Sequence, residues 1–97
     1  MSQADVVIYT TGICGFCHAA KRLLDQKDVE YREVRTEGRS DLRGWLVEAS
    51  GQRTVPQIFI NGEPIGGFSE LSGLEGAGTL DDKLSAAPLV DSSPLPS

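Results

Sequence analysis

The sequence predicts an α/β domain, a small mixed sheet with helices on both faces. Three observations carry that expectation. A β-branched run, an amphipathic segment and a second strand of mixed alternation follow one another between residues 6 and 35, the order of a right-handed parallel unit. An amphipathic helix pattern then covers residues 39–50. Asn61-Gly62 joins two further short runs as a two-residue hairpin, which adds antiparallel strands.

Each element has a local reason. Val6-Val7-Ile8-Tyr9-Thr10 is continuous, β-branched and aromatic, as a strand covered on both faces is. Thr11-Gly12-Ile13 reads as a loop. From Phe16 to Gln26, Ala19, Ala20, Leu23 and Leu24 share a helical face, with Lys21, Arg22 and Asp25 off it. Val29 to Arg35 reads as a second strand, and its mixed alternation places it nearer a sheet edge. In the helix from Arg39 to Ser50, Leu42, Trp45, Leu46 and Ala49 form the apolar stripe, with Ser40 placed to cap its start and Gly51 its end. Pro56 has no N–H for a ladder, so it precedes the strand Gln57–Ile60; the hairpin returns through Glu63–Ile65. After Gly66-Gly67 a helix starts at Ser69 and buries Leu71 and Leu74. Gly76 and Gly78 interrupt it, and Thr79 caps a last turn carrying Leu80 and Leu84. The domain is expected over residues 1–85. The segment 86–97, with three prolines, three serines and little to bury, is expected to be disordered.

Charge and cysteine usage narrow the function. The 97 residues carry 9 basic and 14 acidic side chains, a net charge of -5. Such a domain repels phosphate backbones and anionic lipid heads, so no nucleic-acid or membrane role is expected. No apolar run approaches the roughly 20 residues that span a bilayer, and Met1 to Asp5 lacks the basic and apolar parts of a secretory signal. The two cysteines, Cys14 and Cys17, close too short a loop to constrain the unfolded chain. A reducing compartment, the cytoplasm, and a chemical role are expected for them.

Cys14 lies just before the first helix, whose N-terminus offers unpaired N–H donors and partial positive charge. Both favour a thiolate, so Cys14 is read as the nucleophile. Cys17, one turn inside, is read as the buried thiol that resolves a mixed disulfide on Cys14. A closed zinc site needs four ligands, and only His18 adds to the two cysteines; the main reading has no metal. A Cys-x-x-Cys pair beside a βαβ pattern reads as a redox motif. His18 is taken as an ordinary helix residue rather than a general base, and Trp45 as core.

Cys14-Gly15-Phe16-Cys17, Thr54-Val55-Pro56-Gln57-Ile58-Phe59-Ile60-Asn61-Gly62, and Ile65-Gly66-Gly67 with Ser69-Glu70-Leu71 resemble the glutaredoxin family, from Val6 to Leu84. The resemblance implies the thioredoxin fold, a four-stranded mixed sheet of order 2-1-3-4, with a cis bond before Pro56. It implies a glutathione-dependent thiol–disulfide oxidoreductase, acting as an apo monomer on disulfide-containing or glutathionylated proteins, with glutathione as co-substrate. Carried over by position, Thr54, Val55 and Pro56 border the glutathione site, and Val55 offers its backbone N–H and C=O like a short added strand. The helix start at Gly67 and Ser69 holds the γ-glutamyl carboxylate. Glu70, where the family usually has Asp, meets the γ-glutamyl ammonium, and Phe16, where many members have Tyr, packs beside the mixed disulfide. Arg43 is either near the glycyl carboxylate or a solvated helix-face arginine.

Two positions depart from the family. Thr11 stands where many members have a lysine that favours the thiolate and contacts the glycyl carboxylate; Arg43 and Arg53 are the candidate substitutes. Gly15 stands where the dithiol motif usually has proline. In related proteins glycine there accompanies a [2Fe–2S] cluster, held across a homodimer by the first cysteine of each subunit and glutathione. The alternative is therefore a cluster carrier or sensor with Cys14 as its ligand, although Cys17 and the short loop from Tyr9 to Cys14 fit the dithiol type.

Overall fold

In the computed structural model, residues 3–86 and Leu95 are described. The expected disorder of segment 86–97 lies outside the described residues, apart from Ala86 and Leu95. The elements are β1 (Val6–Thr10), α1 (Gly15–Gln26), β2 (Arg32–Arg35), α2 (Ser40–Ser50), β3 (Gln57–Ile60), β4 (Glu63–Gly66), α3 (Phe68–Gly76) and α4 (Leu80–Ser85). The sheet order is β2-β1-β3-β4. β2 runs parallel to β1, and the β1–β3 and β3–β4 pairs are antiparallel. This is the expected four-stranded mixed sheet.

Every residue of β1 is buried, because successive side chains enter two separate cores. Val6 and Ile8 join Ala20, Leu24, Ile58, Ile60, Leu71, Leu80 and Leu84 under α1, α3 and α4. Val7 and Tyr9 join Val34, Leu42, Leu46 and Phe59 under α2. Trp45 packs on that second cluster: its ring stacks on Phe59 at 5.6 Å and tilts against Tyr9 at 5.5 Å. The reading of Trp45 as core therefore holds.

Several boundaries differ from expectation; α1 starts one residue earlier, at Gly15, and β4 ends one residue later, at Gly66. β2 begins at Arg32 rather than Val29. Its register against β1 runs from Val7↔Arg32, so residues 29 and 30 extend past the start of the partner strand. Glu30 is held instead by the Gln3 side chain, which accepts its N–H and donates to its carbonyl, each at 2.8 Å. Ser40 is the first residue of α2 rather than its cap; Arg39 takes the cap position and makes no capping side-chain bond. Gly51 ends the helix left-handed, at φ 74°, as its type predicts. α3 begins at Phe68 with Gly67 as its cap, one residue earlier than expected.

The hairpin turns at Asn61 (φ 51°) and Gly62 (φ 80°), the paired positive angles of a two-residue loop. Ile65 is an extra residue in β4, since Ile58 faces Gly66 and Phe59 faces Pro64. At the carboxyl end of β1, the Thr36 N–H and hydroxyl both donate to the Thr10 carbonyl, at 2.9 and 3.1 Å. The Thr10 hydroxyl donates to Glu33 at 2.7 Å, and Glu33 also meets Lys21. That end of the sheet, from which the cysteine loop leaves, is thus pinned.

Burial pushes the Tyr9 phenol from 10.0 up to about 12. The folded chain therefore keeps this proton between pH 10 and 12 while the unfolded chain loses it, and stability falls as pH rises through that window. Tyr9→Phe is expected to flatten this part of the stability–pH curve, measured by urea unfolding at pH 9.5 to 12. A slope unchanged by the substitution would contradict it.

Candidate functional site

β1 ends at Thr10 and α1 begins at Gly15, so four residues carry the chain from the sheet to a helix start. Cys14 is the cap of α1, in extended conformation (φ -159°, ψ 105°), and its Sγ accepts the Cys17 N–H at 3.1 Å. A sulfur in this position receives a helix-terminal donor and the positive end of the helix dipole. The Cys14 thiol also reaches the Val55 carbonyl at 3.7 Å, across the site.

The two thiols are unequal. Cys14 is partly exposed and Cys17 is buried, at 1% exposure. Burial first, and then its hydrogen bond to Cys14, push the Cys17 thiol up to about 12; a bond from the Thr11 backbone and the charge of Lys21 oppose the shift. At neutral pH Cys17 holds its proton.

A groove of about 720 Å³ is lined by Val55, whose carbonyl Cys14 reaches, while Cys14 itself is not among the lining residues. Phe16, Thr54, Val55, Pro56, Gly67, Ser69 and Glu70 all line it. They come from three places: the first turn of α1, the segment before β3, and the start of α3. The Val55–Pro56 bond is cis, as the family resemblance implied. Gly67 lies against this segment, since a Cβ on it would stand 3.3 Å from the Pro56 carbonyl oxygen. Glu70 Oε1 accepts the Gly67 N–H at 2.7 Å. This carboxylate therefore caps its own helix, while the other first-turn N–H groups have no intrahelical partner. Gly66, at φ 118°, permits the close approach: a Cβ there would meet Glu70 Oε1 at 2.6 Å.

Arg43 is not in the groove. It lines an adjoining cavity of about 230 Å³ that shares Gln52, Arg53 and Val55 with the groove. Arg53 borders both, so of the two arginines it stands closer to the groove. His18 is exposed on α1. Sequence reasoning missed Gln52 and Phe68 as groove residues. Phe68 packs against the first core and also stacks on Phe16, with ring centroids 6.3 Å apart; only the tertiary contact shows that it lines the groove as well. Gln52 sits in a loop with no pattern to mark it. Among the described residues no three of His, Cys, Asp or Glu gather to hold a metal ion, and no helix is long and apolar enough to cross a membrane.

The family model for glutaredoxin matches residues 6–65. A glutaredoxin of Pseudomonas aeruginosa is 47% identical over 81 residues, covering 84% of this chain and 96% of that protein. Glutaredoxin 3 of Escherichia coli is 43% identical over 82 residues, covering 84% and 99%. Among solved structures, the glutaredoxin of Brucella melitensis matches with a TM-score of 0.80 at 40% identity, over 93% of this chain and 98% of that one. A buckwheat glutaredoxin–glutathione complex matches at 0.78 and 32% identity, over 84% and 76%.

Two outcomes are expected from the geometry. Iodoacetamide at pH 7.5 should label the native protein once, at Cys14, with Cys17 labelled only after unfolding; peptide mass mapping distinguishes the two. Gly15 is the first residue of α1, and a Cβ on it would meet nothing within 4 Å. The extended conformation of Cys14 before it also suits a following proline. Gly15→Pro is expected to stabilise the fold by about 0.4–1 kcal/mol by restricting the unfolded chain. Urea unfolding would show a fall instead if the Gly15 N–H were needed.

Proposed function

The chain belongs to the glutaredoxin family, and on that premise we propose that it reduces protein disulfides and glutathione mixed disulfides with glutathione as its reductant. Its Cys14-x-x-Cys17 pair makes it a thiol–disulfide oxidoreductase. The glutathione dependence is supported above all by one observation: a partly exposed Cys14 thiol faces the Val55 carbonyl at the edge of a groove, with its partner thiol sealed beneath it.

The groove suits an anionic tripeptide. Val55 presents backbone groups for strand-like pairing. The start of α3 attracts a carboxylate, and Arg53 adds a positive charge at the rim. Phe16 and Phe68 offer an apolar wall for the sulfur and its methylene. In this reading Glu70, already bonded to the Gly67 N–H, also faces the γ-glutamyl ammonium.

The chemistry follows from the unequal thiols. The Cys14 thiolate attacks the glutathionyl sulfur of a mixed disulfide. A Cys14–glutathione bond forms, and the target thiolate leaves and takes a proton from water. A second glutathione thiolate attacks the same glutathionyl sulfur, glutathione disulfide departs, and Cys14 is restored. With a protein disulfide, Cys14 is first joined to the target. Cys17 gives up its proton as it attacks the Cys14 sulfur, the target leaves reduced, and two glutathione molecules then reduce the Cys14–Cys17 bond. Cytoplasmic glutathione is the reductant that suits such a couple.

The cluster-bound alternative requires more than one chain. A single copy brings only Cys14 to the rim, so a [2Fe–2S] cluster would be bridged by two copies and glutathione. Gly15 is the feature that favours it.

The Cys variants test the main reading in a glutathione-coupled assay. Cys14→Ser is expected to abolish both reactions. Cys17→Ser should keep the turnover of a small glutathione mixed disulfide and lose the reduction of protein disulfides. Loss of the first reaction in Cys17→Ser would reverse the role assignment.

A further inference from the structure

Gln57 opens β3 and is 0% exposed. Strand alternation puts it on the same side as Phe59, over the core beneath α2. Its amide nitrogen donates to Gln52 Oε1 at 2.8 Å and to the Thr54 carbonyl at 2.9 Å, with the Thr54 hydroxyl at 3.4 Å. Its amide oxygen is buried and has no partner among the described residues.

Such a residue is a poor choice for stability alone. An unpaired buried acceptor costs stability, and replacing both partners of a buried hydrogen bond by apolar groups of the same shape can be nearly neutral. The groups that Gln57 holds lie in an exposed segment, Gln52 to Thr54, where water would replace the amide. What the amide does, and water cannot, is fix the course of the chain immediately before Val55. That segment lines the groove and leads into Val55, whose carbonyl faces Cys14.

We propose that Gln57 is a positioning residue: its buried amide holds Gln52–Thr54 so that Val55 presents its backbone to the glutathionyl group at Cys14. The inference rests on the glutathione reading above. Gln57 touches no substrate; it acts through the segment it anchors. Binding through a backbone edge depends on that edge being set in advance, because ordering a loose segment on binding subtracts from affinity.

The test is Gln57→Met, which keeps the length of the side chain and removes both polar atoms. Three readouts are taken on the full chain. The urea midpoint is expected to stay level or rise. Amide exchange, followed by NMR without glutathione, should quicken at Gln52, Arg53 and Thr54 and stay unchanged in β1 and α1. The KM for a small glutathione mixed disulfide should rise about fivefold with kcat held, the size of one lost hydrogen bond. A KM unchanged in a stable variant overturns the proposal, as does unchanged exchange at residues 52–54. A lower midpoint with kcat and KM impaired together marks an ordinary structural role and overturns it too. If the parent protein shows no glutathione-dependent turnover, the functional reading itself fails; the exchange rates still decide whether Gln57 holds the segment.

Discussion

β1 is a strand covered on both faces and paired along both edges, by β2 on one side and β3 on the other. Four of its five residues feed two cores on opposite faces of the sheet. This double burial leaves the strand no alternative register, because a slip of one residue would exchange its two sets of side chains between cores. The rest of the site inherits that certainty. Pinned by Thr36 and Glu33 at its carboxyl end, β1 delivers the chain to the start of α1 within four residues, with Cys14 at the cap.

The reactive centre is then assembled mainly from backbone. The first turn of α1 supplies an N–H to the Cys14 sulfur, the segment before β3 supplies the Val55 carbonyl, and the start of α3 supplies further donors. Few charged side chains take part, in a chain whose net charge is -5. Glycine at 66 and 67 lets the third of these elements approach the second. Gln57, a buried polar side chain tied to this assembly, lies behind it rather than in it.

The departures at Thr11 and Gly15 read differently once the site is in place. Without a lysine at position 11, the cation nearest the groove is Arg53, on the opposite wall. The Thr11 backbone instead works against the upward shift that burial imposes on the Cys17 thiol. Gly15 has open space around it, so packing does not demand glycine there. Its presence gives the first turn a free N–H and a looser entry to the helix.

Much was legible in the chain itself. The apolar continuity of Val6–Thr10, the stripe Leu42, Trp45, Leu46 and Ala49, and the Asn61-Gly62 turn are local patterns, and each became the element it predicted, because burial and turn chemistry act over a few residues. The cysteine spacing marked the pair that stands at the start of α1 for the same reason. Other features depend on contacts between distant segments. β2 starts late because its partner strand has not begun, and Phe68 faces a groove because Phe16 lies opposite. Arg43 falls in a neighbouring cavity because of how α2 meets the segment after it. Gln57 looked like one polar residue in a strand. Only the folded chain brings its amide under Gln52 and Thr54, because a hydrogen bond is decided by where both partners end, and the chain alone specifies that for neighbours only.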